Sequence, residues 1–135
     1  MKEILTKAEV PNVDAVTEAA DEYLDSVNCP VKHRMQVDMI IDEIFSNIAK
    51  YAYPDGGGDV CLRLDCSEDK ILSLVFEDSG TPFNPLQSED PDVTLDASER
   101  GIGGLGIYLV KKMSDAVEYE FSGGKNILTV RKNIA

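Results

Sequence analysis

The chain has 135 residues and a mass of 14.8 kDa, a length that predicts residues 1–135 to form one domain with its own hydrophobic core. Its 25 acidic and 13 basic residues give a formal net charge of −12, which repels a phosphate backbone, so no direct nucleic-acid partner is expected. The sequence has no apolar run long enough to cross a bilayer and no apolar secretory stretch at its N-terminus, which predicts a cytoplasmic protein without a membrane partner.

The predicted elements begin with a short strand at residues 3–10. Asn12 then stands where it can cap a helix over Val13–Val27, and Asn28-Cys29-Pro30 ends that helix. A second helix is predicted over Val31–Tyr51, and it stops before the glycine-rich loop at residues 53–58.

Five more elements follow, namely strands at 59–66 and 70–77, a helix at 104–114, and a closing hairpin of strands at 116–121 and 126–132. Hairpins in place of alternating βαβ units predict an α/β (α+β) two-layer sandwich, in which helices pack on one face of a mainly antiparallel sheet. The acidic segment from Asn84 to Arg100 lacks periodicity, and a long loop of this kind is typical of a lid or a binding loop.

The second helix carries a polar pair beside its buried face. The apolar residues share one stripe, namely Val37, Ile40, Ile41, Ile44 and Ile48. Glu43 and Asn47 are four residues apart, so they stack about 6 Å from each other on one flank of that stripe. They could meet a pocket there, or they could form an ordinary solvated polar edge.

A second polar group follows the apolar strand at residues 71–76. The carboxylate of Asp78 could accept a hydrogen bond from the exocyclic amine of adenine, an arrangement that rejects guanine. Gly80 would let the backbone approach a flat ring closely. The same residues also suit an ordinary turn.

A glycine-rich run leads into the third helix. Its candidate phosphate-binding residues are Gly101, Gly103, Gly104, Leu105 and Gly106. Backbone N–H groups freed by glycine, together with the positive end of a helix, suit phosphate oxygens. The run is neither a P-loop, because no Gly-Lys-Ser/Thr triplet occurs, nor a dinucleotide fingerprint, because it does not follow a strand.

In this order the three stretches resemble one family. Glu43–Asn47 is similar to the N box, Asp78–Phe83 to the G1 box and Gly101–Gly106 to the G2 box of the GHKL ATPase/kinase superfamily, over about residues 10–132. Within it, residues 46–54 and 104–110 resemble the anti-sigma-factor serine-protein-kinase branch.

The resemblance implies a Bergerat ATP-binding fold with an ATP lid at about residues 84–103, and ATP and Mg²⁺ as cofactors. It implies that Asn47 binds Mg²⁺, that Asp78 with Gly80 binds adenine, and that the glycine run binds the phosphates. Thr129 matches a position that supports the adenine-binding aspartate. Glu43 matches the catalytic base, a role that suits a carboxylate one helical turn from a metal ligand.

The first functional hypothesis is a serine/threonine-protein kinase that phosphorylates a small antagonist protein, sequesters a sigma factor, or does both. The alternative is a nucleotide-gated protein-binding module with little chemistry. The ATPase half of a histidine kinase is a weaker interpretation, since only about 30 residues precede the N-box helix and His33 is the sole histidine. A homodimer is suggested by the family alone.

Overall fold

The computed structural model describes residues 1–87 and 104–135. In that part of the chain the strands are β1 (Lys2–Lys7), β2 (Asp59–Cys66), β3 (Ile71–Asp78), β4 (Ala116–Ser122) and β5 (Lys125–Asn133), and the α-helices are α1 (Val13–Ser26), α2 (Val31–Asn47) and α3 (Gly104–Met113). The strands form one sheet in the order β1-β2-β3-β5-β4, and each neighbouring pair is antiparallel. The predicted two-layer α/β architecture is confirmed.

Alternation along the strands gives the sheet one buried face. In β3, Leu72, Leu74 and Phe76 are at most 1% exposed, while the residues between them are only half-buried. Because side chains of a strand point alternately to opposite faces, this pattern fixes which face meets the helices. Asp78 continues the buried row at the end of the strand.

The helix α2 packs against both α1 and α3 over the buried face of the sheet. Its predicted apolar stripe is buried as a whole, at Val37, Ile40, Ile41, Ile44 and Ile48. Burial of each large aliphatic side chain stabilises the fold by about 1.5–3 kcal/mol, so this stripe fixes α2 against the sheet and fixes the rotation of its polar flank.

Three local details differ from the sequence prediction. The strand predicted at residues 3–10 is observed as Lys2–Lys7, and Val10–Asn12 form a 3₁₀ turn instead of its end. The helix predicted to reach Tyr51 is α-helical only to Asn47 and continues as a π-helical turn over Ile48–Ala52. Such turns keep the chain helical while widening it, so the apolar periodicity hides them. Asn12 makes no capping hydrogen bond, because its Nδ2 donates instead to the carbonyl oxygen of Lys7 at 3.1 Å.

Within residues 1–87 and 104–135, no helix has both the length and the apolar character needed to cross a membrane.

Candidate functional site

A cavity opens between the C-terminal half of α2 and the end of the sheet where β3 stops. Its apolar walls are Ile44, Ile48, Ala52, Phe76, Ile107 and Leu128, and its remaining lining residues are Asn47, Asp78, Phe83, Pro85, Tyr119 and Asn126. The empty space, including the open mouth, is about 370 Å³. An apolar wall with a few polar groups is typical of a small-molecule site.

An aromatic pair stands beside this cavity. Phe83 lines it and stacks on Tyr51, with ring centroids 5.0 Å apart and an interplanar angle of 26°. Offset stacking of this kind holds both rings in place. The side of the cavity formed by the chain after β3 is therefore aromatic.

Asp78 contributes a carboxylate that is only 5% exposed. Its Oδ1 accepts hydrogen bonds from Nδ2 of Asn126 at 2.8 Å and from the backbone N–H of Gly80 at 2.9 Å. Burial raises the pKa of Asp78, while these two donors act in the opposite direction. Among the described residues no donor contacts Oδ2, so that oxygen is available to a ligand.

Asn126 is the residue that supports Asp78. It stands directly opposite Asp78 in the β3–β5 register. Its Oδ1 accepts from the hydroxyl of Tyr119 and, at 3.1 Å, from the N–H of Phe83, while Nδ2 also donates to the carbonyl oxygen of Thr81 at 3.0 Å. The side-chain amide is thus fully hydrogen-bonded inside the site.

The prediction that Thr129 supports Asp78 is wrong. Thr129 is three residues beyond Asn126 in β5 and pairs with Val75, so its side chain points to the other face of the sheet. Strand alternation could have revealed this from the sequence. Asn126 shares the parity of the buried Leu128 and Val130, whereas Thr129 does not.

Gly80 allows the turn after β3 to approach the end of the π-helical turn. A Cβ on Gly80 would lie 2.3 Å from the carbonyl oxygen of Ala52, and the N–H of Thr81 donates to that same oxygen at 2.8 Å. Only glycine fits a contact this close to backbone atoms. Gly80 therefore has a packing role that brings the turn beside Asp78 against α2.

Asn47 and Glu43 lie near the cavity but differ in position. Asn47 lines the cavity directly. Glu43, one turn earlier on α2, lies against the first turn of α3, where a Cβ on Gly106 would be 1.9 Å from its Oε2. Among the described residues neither side chain has a hydrogen-bond partner, so both have polar atoms available for a ligand.

The predicted phosphate loop is described in part. Gly104, Leu105 and Gly106 form the first turn of α3, which is the positive end of that helix. Gly101 and Gly103, and most of the predicted lid at 84–103, lie outside the described residues.

The residues of the cavity fit a magnesium ion that is carried in with phosphates. Mg²⁺ takes oxygen ligands and is commonly held by one or two protein groups together with phosphate oxygens and water. The amide oxygen of Asn47 is such a group, and it has no competing partner in the described chain. Within residues 1–87 and 104–135 no cluster of three or more His, Cys, Asp or Glu residues offers a metal site of another kind.

The chain belongs to the family of histidine kinase-like ATPase domains, whose model matches residues 6–132. The fold and the predicted N-box, G1-box and G2-box resemblance agree with that class, and the expectation of a GHKL-type chain similar to anti-sigma-factor serine kinases is confirmed.

Several characterised proteins are similar in sequence. Serine/threonine-protein kinase BtrW of Bordetella bronchiseptica is 25% identical over 103 residues, which are 76% of this chain and 72% of BtrW. Serine-protein kinase RsbW of Listeria monocytogenes is 29% identical over 96 residues, 67% of this chain and 60% of RsbW. RsbW of Bacillus cereus is 26% identical over 95 residues, 67% of this chain and 59% of that protein. The match thus spans about three fifths of the RsbW relatives.

Solved structures show the same fold. The blue-light activated histidine kinase of Erythrobacter litoralis EL346 aligns with a TM-score of 0.57 and 19% identity, over 78% of this chain and 32% of that one. The histidine kinase AdeS of Acinetobacter baumannii aligns with a TM-score of 0.56 and 14% identity, over 99% of this chain and 69% of AdeS.

Proposed function

We propose that this chain binds Mg·ATP in the cavity and transfers the γ-phosphate to a serine or threonine hydroxyl of a protein partner. The observation that supports this most is the convergence of three separate stretches on one place. Asn47 and Asp78 line the same cavity, and Glu43 meets Gly106 at the first turn of α3.

Each residue has a role suited to its position. Oδ2 of Asp78 accepts a hydrogen bond from the adenine amine, and the first turn of α3, with the preceding Gly101 and Gly103, receives the phosphates. The amide oxygen of Asn47 would hold Mg²⁺. When bound, the ion would neutralise the negative charge of the phosphates. Glu43 orients the acceptor hydroxyl and takes its proton.

The proposed partner is a small antagonist protein of an anti-sigma system, with sequestration of a sigma factor as the related activity. Support comes from relatives that are named serine-protein kinases. The net charge of −12 disfavours nucleic acid as the partner. A cytoplasmic location, one domain over residues 1–135 and a homodimer belong to the same proposal.

The test compares phosphoryl transfer by wild type and Glu43→Gln. The chain is used as bait with Mg·ATP labelled in the γ position, and phosphosites are mapped on the co-purified protein. Loss of the base should lower the transfer rate by about 100-fold or more, while ATP affinity measured by calorimetry stays within about threefold, because Glu43 is not among the residues that line the cavity.

The matched control is Glu22→Gln, an exposed glutamate on α1 that should transfer phosphate at the wild-type rate. Equal labelling by wild type and Glu43→Gln would contradict the catalytic role. Partner retention that depends on ATP, without any labelling, would instead favour the nucleotide-gated binding module.

A further inference from the structure

We infer that Asn126 and Tyr119 are positioning residues that hold Asp78 as a hydrogen-bond acceptor and thereby make the cavity select a 6-aminopurine over a 6-oxopurine. The inference rests on the proposed nucleotide binding and adds to it two residues that position the adenine-binding carboxylate. It depends on a chain of hydrogen bonds that runs from β4 through β5 to the end of β3.

Two backbone groups fix the orientation of the Asn126 side chain. The N–H of Phe83 can only donate, and it lies 3.1 Å from Oδ1 of Asn126. The carbonyl oxygen of Thr81 can only accept, and it lies 3.0 Å from Nδ2. An amide flip would place donor against donor and acceptor against acceptor, so these contacts exclude it.

The fixed amide then makes Oδ1 of Asp78 an acceptor. Because Nδ2 of Asn126 must donate, Oδ1 of Asp78 must accept at 2.8 Å, and the N–H of Gly80 adds a second donor to the same oxygen at 2.9 Å. A proton has no place on Oδ1. Burial is the larger effect and raises the pKa of Asp78, while both donors favour the ionised carboxylate, in which Oδ2 is the oxygen left to accept from a ligand.

Tyr119 anchors the amide from the neighbouring strand. Its hydroxyl donates to Oδ1 of Asn126, and its ring lines the cavity. Burial raises the pKa of Tyr119, so the phenol keeps the proton that it donates. Asn126 therefore receives two donors on its oxygen and gives two on its nitrogen, which leaves it no freedom to rotate.

This arrangement distinguishes purines by the group at position 6 of the ring. The 6-amino group of adenine donates to Oδ2, whereas the 6-oxo group of hypoxanthine or guanine would place a second acceptor against it. A buried site made for one hydrogen-bond pattern strongly rejects an analogue that reverses it. We expect wild type to bind Mg·ATP about 100-fold or more tightly than Mg·ITP, since ITP differs from ATP only in the base.

The experiment measures the affinities of Mg·ATP and Mg·ITP by calorimetry for four proteins. Asn126→Leu removes the amide at similar volume and should lower the ATP-to-ITP preference by about tenfold, and Tyr119→Phe, which removes one oxygen, by about threefold. Tyr23→Phe is the matched control. The Tyr23 hydroxyl accepts the N–H of Cys66 at 2.8 Å, remote from the cavity, so this variant should keep the wild-type ratio.

A pH profile separates positioning from a merely structural role. The Asn126 donor holds the pKa of Asp78 down, so its removal raises that pKa and the loss of ATP affinity on acidification should begin at higher pH in Asn126→Leu than in wild type. If Asn126→Leu does not fold, Tyr119→Phe tests the positioning role through its ATP-to-ITP preference and the pH dependence of its ATP affinity.

Two failures are distinguishable. Suppose that wild type binds ATP, and that the folded variants keep the wild-type ATP-to-ITP ratio and lose ATP affinity at the same acidic pH as wild type. The positioning role is then overturned, while nucleotide binding stands. If wild type binds neither nucleotide, the proposed function fails and this inference fails with it.

Discussion

The carboxylate of Glu43 occupies the space that a side chain at position 106 would fill, because Gly106 has only a hydrogen atom there. A Cβ on Gly106 would lie 1.9 Å from Oε2 and 2.7 Å from Cδ of Glu43. Those atoms are the mobile end of a side chain, so Glu43 can move aside where a backbone group could not. A substitution at this position should therefore displace the carboxylate without disrupting the fold.

We predict that Gly106→Ala changes the free energy of unfolding by less than about 1 kcal/mol, since alanine also favours the helix. The rate of phosphoryl transfer should fall about tenfold or more, because a misplaced base is a poor one. Thermal unfolding and the labelling assay measure the two effects. A variant that keeps full activity would show that the position of Glu43 does not matter.

Among single residues, the sequence predicted those that stand in a recognisable local motif. It missed Asn126, whose role depends on the pairing of two strands. Asp78 and Asn47 were found because each occurs in a recognisable local pattern, and the structure places both on one cavity. Asn126 follows a Ser-Gly-Gly-Lys turn and looks like a turn residue by itself. Its role appears only through the strand register that sets it opposite Asp78.

The α1–α2 pair contains two acidic residues in contact across the helices. Oδ1 of Asp21 and Oδ1 of Asp38 are buried and have no hydrogen-bond partner among the described residues. Burial and the neighbouring Asp21 raise the pKa of Asp38 to about 7, and Arg34 opposes this shift. Protonated Asp38 can donate to Asp21, so the helix pair is more stable with a proton than without one.

We predict that Asp38→Asn stabilises the protein increasingly from pH 5 to about pH 7 and by a nearly constant amount above that. In that range the folded state holds a proton up to about pH 7, whereas an unfolded aspartate loses it near 3.8, so wild-type stability falls as pH rises. The Tm difference between variant and wild type should therefore grow with pH and level off above about pH 7. Asp42→Asn, at an exposed position of the same helix, is the control, and a difference independent of pH would contradict the prediction.

The bounds of the elements were predictable where local sequence signals set them, and not where contacts between distant segments are involved. The strand predicted over Asp59–Cys66 is observed with those bounds, because alternation and flanking turns are local signals. The π-helical turn at Ile48–Ala52 was not predictable, since its residues fit an α-helix equally well. Its last carbonyl accepts the N–H of Thr81, a contact between segments far apart in the chain.

For the whole molecule, the cavity joins α2, β3, α3 and β5, so a ligand bound there should stabilise all of them together. We predict that Mg·ATP at about 100 times its Kd adds about 2.7 kcal/mol to the free energy of unfolding and raises Tm by several degrees. Mg²⁺ without nucleotide should have a much smaller effect. An unchanged Tm with Mg·ATP at millimolar concentration would contradict binding at this site.

The pairing of Asp78 with Asn126 spans 48 residues and has a consequence for biosynthesis. During translation, α2 and β3 leave the ribosome before the β4–β5 hairpin exists. Until that hairpin docks, the aspartate has neither the amide that orients it nor the phenol behind that amide. A nascent chain should therefore gain its selectivity for adenine only after the hairpin has docked beside β3, so base discrimination would report that this pairing has formed.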